Sequence, residues 1–143
     1  MATRPKNALF LALSAALLAF FALQGSYAWP DESLKITDIK MASIMSEQFM
    51  PVNPADTFPK GTQRVYCWFR WTGADKNAQI TAKWSYASKN MSIIEHAFAL
   101  SQKNGSGSIL LSMPRKKILP SGSYRIDLST KERILKSCKF NIE

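Results

Sequence analysis

The chain has 143 residues, with 19 Lys and Arg against 10 Asp and Glu for a formal charge of +9, 46% hydrophobic residues, one His and two Cys. That length suits a single domain, and one of this size buries roughly two-thirds of its unfolded surface, so a stable core needs no metal. One His and two distant Cys cannot supply the three or four ligands of a zinc centre, and no cofactor is expected.

The first segment has the layout of a secretory leader. Arg4 and Lys6 form a positive start, Ala8 to Leu23 is apolar apart from Ser14, Gln24 and Gly25 break the run, and Ser26-Tyr27-Ala28 places small residues where a signal peptidase cuts. The expected boundaries are a signal peptide, helical in its apolar part, over residues 1–28 and a mature domain over residues 29–143. A retained anchor is the alternative, although the run is shorter than the ~20 residues that span a bilayer. The expected destination is the periplasm or the exterior, with no stable membrane span after cleavage.

In the mature part, Leu34 to Met41 is β-prone, and its apolar residues change phase between Ile36 and Ile39, which suits a bulged strand. Residues 43–60 hold Pro51, Pro54 and Pro59, which excludes a long helix or a central strand. Phe49, Met50, Val52 and Phe58 are expected to pin this loop to the core.

Residues 65–86 read as two alternating strands joined by a polar turn, TGADKN. Val65, Cys67, Phe69 and Trp71 share one face, with Tyr66, Trp68 and Arg70 on the other. Ile80, Ala82, Trp84 and Tyr86 line one face of the second strand. Ile94 to Leu100 alternates again and puts His96 on its apolar face. Asn104-Gly105 suits a tight reversal, and Ile109, Leu111 and Met113 follow. Arg115-Lys116-Lys117 is a basic connection. Pro120-Ser121-Gly122 turns the chain into Tyr124, Ile126 and Leu128. Ile134, Cys138, Phe140 and Ile142 close it, with Lys136 out of phase.

About seven short strands with regular turn signals and no mature helix predict an all-β chain, a single antiparallel sandwich of immunoglobulin-like type. Trp84 falls on the third strand, where such folds bury a large aromatic, and Tyr124 opens the sixth as a tyrosine-corner residue would. Cys67 and Cys138 then lie on strands of opposite sheets. In an oxidising compartment they would close a loop of about 70 residues, worth roughly 4 kcal/mol if unstrained. Two buried free thiols are the alternative.

Ile36 and Ile39, the stretch from Pro51 to Phe58, Tyr66-Cys67, Ala82-Lys83-Trp84, Pro120 to Asp127 and Phe140-Asn141-Ile142 together resemble a group of small exported bacterial immunoglobulin-like domains of unknown function. The resemblance covers nearly the whole mature chain and implies the sandwich fold and export. It implies no activity, and Cys138 is not part of the pattern.

The residues point away from catalysis. The single His lies on an apolar face, as a core histidine would, and neither Ser-x-x-Lys nor G-x-S-x-G occurs. Gly105 and Gly107 precede no helix and make no phosphate cradle. Two candidate binding groups remain. Arg115, Lys116 and Lys117 can meet phosphate or carboxylate, or form a merely solvated loop. Tyr66, Trp68 and Arg70, if open, suit a sugar ring or a protein hot spot; the alternative is that they pack under the proline-rich loop or in a second apolar layer. The expected function is a non-catalytic binding module for another envelope or secreted protein. Its alternatives are recognition of anionic polysaccharide or lipid head groups and a structural role in an extracellular assembly. An exported chain has no nucleic-acid partner in this reading.

Overall fold

Period-two alternation of apolar residues drives the chain into strands, and each strand's apolar face must be covered by a second layer. The computed structural model describes residues 33–143; the leader expected over residues 1–28 lies outside the described residues. Seven long strands form where alternation predicts them: β1 (Lys35–Ala42), β5 (Arg64–Thr72), β6 (Gln79–Tyr86), β7 (Met91–Ala99), β8 (Gly105–Ser112), β9 (Gly122–Ser129) and β10 (Ile134–Ile142). The proline-rich region contributes three two-residue pieces, β2 (Ile44–Met45), β3 (Pro51–Val52) and β4 (Thr57–Phe58).

The strands divide into a three-stranded sheet, β1-β5-β8, and a five-stranded sheet, β4-β10-β9-β6-β7, with β2 and β3 as a separate small ribbon. All pairings are antiparallel except that of β4 with β10. The inward residues of the two main sheets form one cluster that includes Val65, Cys67, Phe69, Ile80, Trp84, Leu111, Ile126 and Phe140. Trp84 is fully buried, and it meets the Phe140 ring edge-on at 6.1 Å. Tyr124 stacks on the same Phe140 ring at 4.9 Å, and its hydroxyl donates to the Pro120 carbonyl. This is the tyrosine corner expected at the start of the sixth long strand.

Three bulges adjust the phase. The register of β1 shifts between Ile36 and Asp38, as its apolar pattern predicts. A shift at Leu135 in β10 lets that residue pack on the core while Lys136 stays exposed. The third shift falls between Trp84 and Ser85 of β6, where Ile93 becomes the extra residue of β7.

Two expected reversals are not hairpins. β5 and β6 lie in different sheets, and so do β7 and β8. β5 and β6 are each apolar on one face, and facing layers bury both faces where side-by-side pairing would leave them uncovered; β7 is covered only at Phe98, which packs on Phe69. The two links support each other: Ala74 N–H donates to the Lys103 carbonyl, and Gly73 N–H to the Asn104 side-chain oxygen. Gly105 serves close packing, since a Cβ there would stand 2.7 Å from the Trp71 ring.

A further expectation is corrected. Phe58 is buried, but Phe49 is 77% exposed at the tip of the β2–β3 ribbon and Met50 is exposed beside it. Short backbone bonds between Ser46 and Met50 close that tip, so neither side chain reaches the core. In this structure Cys67 is a buried free thiol and Cys138 a half-buried one.

Candidate functional site

The row formed by Tyr66, Trp68 and Arg70 faces away from the core, as alternation predicts, but it is no open platform. Trp68 is 2% exposed. Lys40, its register partner on β1, holds its ammonium 5.7 Å from the ring centroid, and the Arg70 guanidinium lies at 5.3 Å. The aromatic face is therefore occupied by this chain's own cations, a contact worth about 0.5–1 kcal/mol each near a surface. Tyr66 is half-buried and Arg70 exposed. The sugar-stacking role considered for Trp68 is corrected by this burial.

Arg115, Lys116 and Lys117 are all exposed on the turn after β8. Arg115 and Lys116 both take left-handed backbone, with φ of 60° and 56°, which costs a residue with a side chain of order 1 kcal/mol. Lys117 N–H closes the turn onto the Pro114 carbonyl. None of the three forms an ion pair with a described residue. The two predicted groups are not brought together. Trp68 pairs with Ser108 in mid-strand, whereas the basic turn begins beyond Ser112, which pairs with Arg64.

Sequence reasoning missed the flank between β7 and β8. β7 is the edge of the five-stranded sheet and β8 the edge of the three-stranded one. Of the nine residues of β7, all but Phe98 are exposed. Opposite them, β8 opens with Gly105, Ser106, Gly107 and Ser108, too small to cover the gap. The result is a cleft of about 520 Å³ lined by Phe69, Trp71, His96, Phe98 and Ile109. His96 is exposed there and is no core histidine, because the glycines and serines of β8 leave that part of the flank open. Farther along the same flank, Tyr86, Met91, Ile93, Leu111, Met113 and Leu119 enclose a smaller cavity of about 220 Å³ whose walls are almost wholly apolar. The Gly-Ser-Gly-Ser run was the available signal, since a strand without bulk cannot seal the side of a sandwich.

Three titrating groups packed on the core are held in their neutral form by burial. Burial pushes the Tyr124 hydroxyl up to about 12, and the neighbouring Tyr86 adds to it. Burial raises the Cys67 thiol, and the charge of Cys138 raises it further. Cys138 is raised chiefly by burial; Lys136 and the Lys139 backbone oppose this, and Asp56 adds to it. Neither thiol is a poised nucleophile. Among the described residues no cluster of three or more His, Cys, Asp or Glu could hold a metal ion, and no helix is long and apolar enough to cross a membrane.

No protein-family model matches the chain, and no curated protein matches it. Solved structures do resemble it. An immunoglobulin-like protein from Pseudomonas aeruginosa superposes with a TM-score of 0.52 at 10% identity, over 78% of this chain and 97% of that one. An alkylpurine DNA glycosylase from Pseudomonas fluorescens, bound to DNA with an abasic-site analogue, gives a TM-score of 0.50 at 13% identity, over 78% of this chain and 30% of the enzyme. The chain thus spans under a third of the glycosylase. At such identities the likeness shows the fold alone, an immunoglobulin-like β-sandwich.

Proposed function

We propose that this chain is an exported, non-catalytic immunoglobulin-like module that binds another envelope or secreted protein by strand addition at β7. One observation carries the reading: β7 is a nine-residue edge strand, exposed along nearly its whole length. Folded proteins usually blunt such edges, because unpaired N–H and C=O groups recruit other chains. The other edges here are blunted. β4 has two residues, β1 is bulged and carries Lys35, Asp38 and Lys40, and β8 is rich in glycine and serine. β7 has a bulge at Ile93, but from Ile94 to Ala99 it presents a regular ladder with Glu95 as its one carboxylate. An extended partner segment would take up that ladder. The net positive charge favours a partner with an acidic surface.

Adjacent β7 residues alternate between sending their N–H to β6 and outward. Of the two variants His96→Pro and Ala97→Pro, one should therefore lower stability by removing a β6 bond. The other should keep the melting temperature and lose the partner in a pull-down from envelope extract. The capture should persist near ~0.5 M salt, where exposed charge pairs are screened. Capture unchanged by either proline would refute strand addition.

Export implies a second expectation. The inward thiols of Cys67 and Cys138, on strands of opposite sheets, would pass two electrons and two protons to a disulfide carrier of the compartment and close the bridge. The intact mass of the unreduced exported protein should then be lower by two hydrogens. Two alkylatable cysteines after denaturation would rule the bridge out. Recognition of an anionic polymer or lipid head group is the second reading, favoured by the strained, unpaired cations Arg115 and Lys116; such capture should vanish at the same salt. A structural subunit would instead self-associate on sizing.

A further inference from the structure

We propose that the smaller flank cavity is a binding site for a single-chain anionic amphiphile of fatty-acid type, with the acyl chain between the sheets and the carboxylate on a cationic lip. The site lies beside the β7 ladder and does not depend on strand addition.

The cavity itself specifies the chain. Its walls come from both sheets: Tyr86, Met91 and Ile93 on one side, Leu111, Met113 and Leu119 on the other. Leu111 and Leu119 are buried, while Met91 and Ile93 are exposed and form the open side. Its volume of about 220 Å³ accommodates ~7 methylene groups if each claims about the ~30 Å³ of a liquid water. That is room for an unbranched chain and too little for a fused-ring lipid. The two methionines supply flexible walls that reshape around a chain of variable length.

The lip specifies the head group. The polypeptide leaves the cavity wall at Met113 and returns to it at Leu119, and Arg115, Lys116 and Lys117 lie on the arch between. Lys89 precedes Met91 by two residues on the opposite side. The wall segments themselves, residues 86–93 and 111–124, carry Lys89, Arg115, Lys116 and Lys117 and no Asp or Glu. Left-handed backbone at both Arg115 and Lys116 keeps these side chains on a tight turn at a local cost. An apolar slot whose wall segments carry cations and no carboxylate selects an anion on a chain and disfavours a cationic head.

Titration calorimetry of the purified chain with decanoate, below its micellar concentration, tests this. Decanoate should saturate one site. Hexanoate should bind more weakly by roughly fourfold per methylene removed, and decyltrimethylammonium at least tenfold more weakly than decanoate. The exposed-turn variant Arg115→Glu/Lys116→Glu/Lys117→Glu should lose at least tenfold in decanoate affinity without a change in melting temperature. Ile93→Asp, at an exposed position on the mouth, should abolish binding. Equal affinity for decanoate and decyltrimethylammonium would overturn the proposal. So would affinity unmoved by both variants, or binding to anionic phospholipid vesicles with none to free decanoate.

Discussion

Tyr124 ties the turn at Pro120 to the core through one hydroxyl. Tyr124→Phe should cost about 1 kcal/mol, the usual net worth of such a bond. It should also alter the pH profile. An unfolded tyrosine titrates near ~10, whereas Tyr124 is pushed up to about 12. Between these values the unfolded chain holds fewer protons than the folded one. The tyrosine's contribution is therefore complete below about pH 10 and is lost as pH rises through about 12. Urea denaturation from pH 8 to 11 should show stability falling in the wild type and falling less in Tyr124→Phe. In the reduced protein Cys67 and Cys138 add slope of the same sign, since burial raises both thiols. Gly122 is a second sensitive position, with φ of 141° and Tyr86 within 2.7 Å of any added Cβ. Gly122→Ala should destabilise by roughly 1–3 kcal/mol through backbone strain alone, read as an earlier urea midpoint with unchanged slope. At this scale the sequence was informative where alternation and a turn coincide, as at Trp84 and Tyr124. It was silent on Trp68, because period two assigns a residue to a face but does not say what lies over that face. It misled on Phe49, expected against the core and 77% exposed: apolar character alone does not show that a short ribbon bends back.

For the strands, existence and approximate bounds followed from the pattern, as did the bulge in β1. Partnership did not. A polar link of a few residues can close a hairpin or arch from one sheet to the other, and TGADKN and SQKN both do the latter. What decides is the need of two apolar faces for opposing layers, a property of the whole set of strands. The missed flank has the same origin, since an edge is defined by which strand is absent beside it. The basic turn after β8 permits a direct test of stored strain. Lys116→Gly, at a φ of 56° that glycine accepts readily, should stabilise the protein by about 1 kcal/mol. A lower urea midpoint would show that the turn is not strained.

Across the whole molecule the fold is closed by pairs remote in the chain. The five-stranded sheet holds two local hairpins, β6–β7 and β9–β10, whose strands follow one another directly. The three-stranded sheet holds none. β5 must find β1 across the proline-rich region on one side, and β8 across the β6–β7 hairpin on the other. Each of these pairings closes a long loop before it gains any contact. Assembly should therefore proceed in order, with β6–β7 and β9–β10 gaining amide protection first and the β1-β5-β8 layer last. Pulse-labelled hydrogen exchange during refolding would read this sequence, and early protection of β5 would contradict it. Until that last layer arrives, Trp84 has a floor and no roof. A newly delivered chain then exposes its most adhesive surface for as long as three distant segments take to meet.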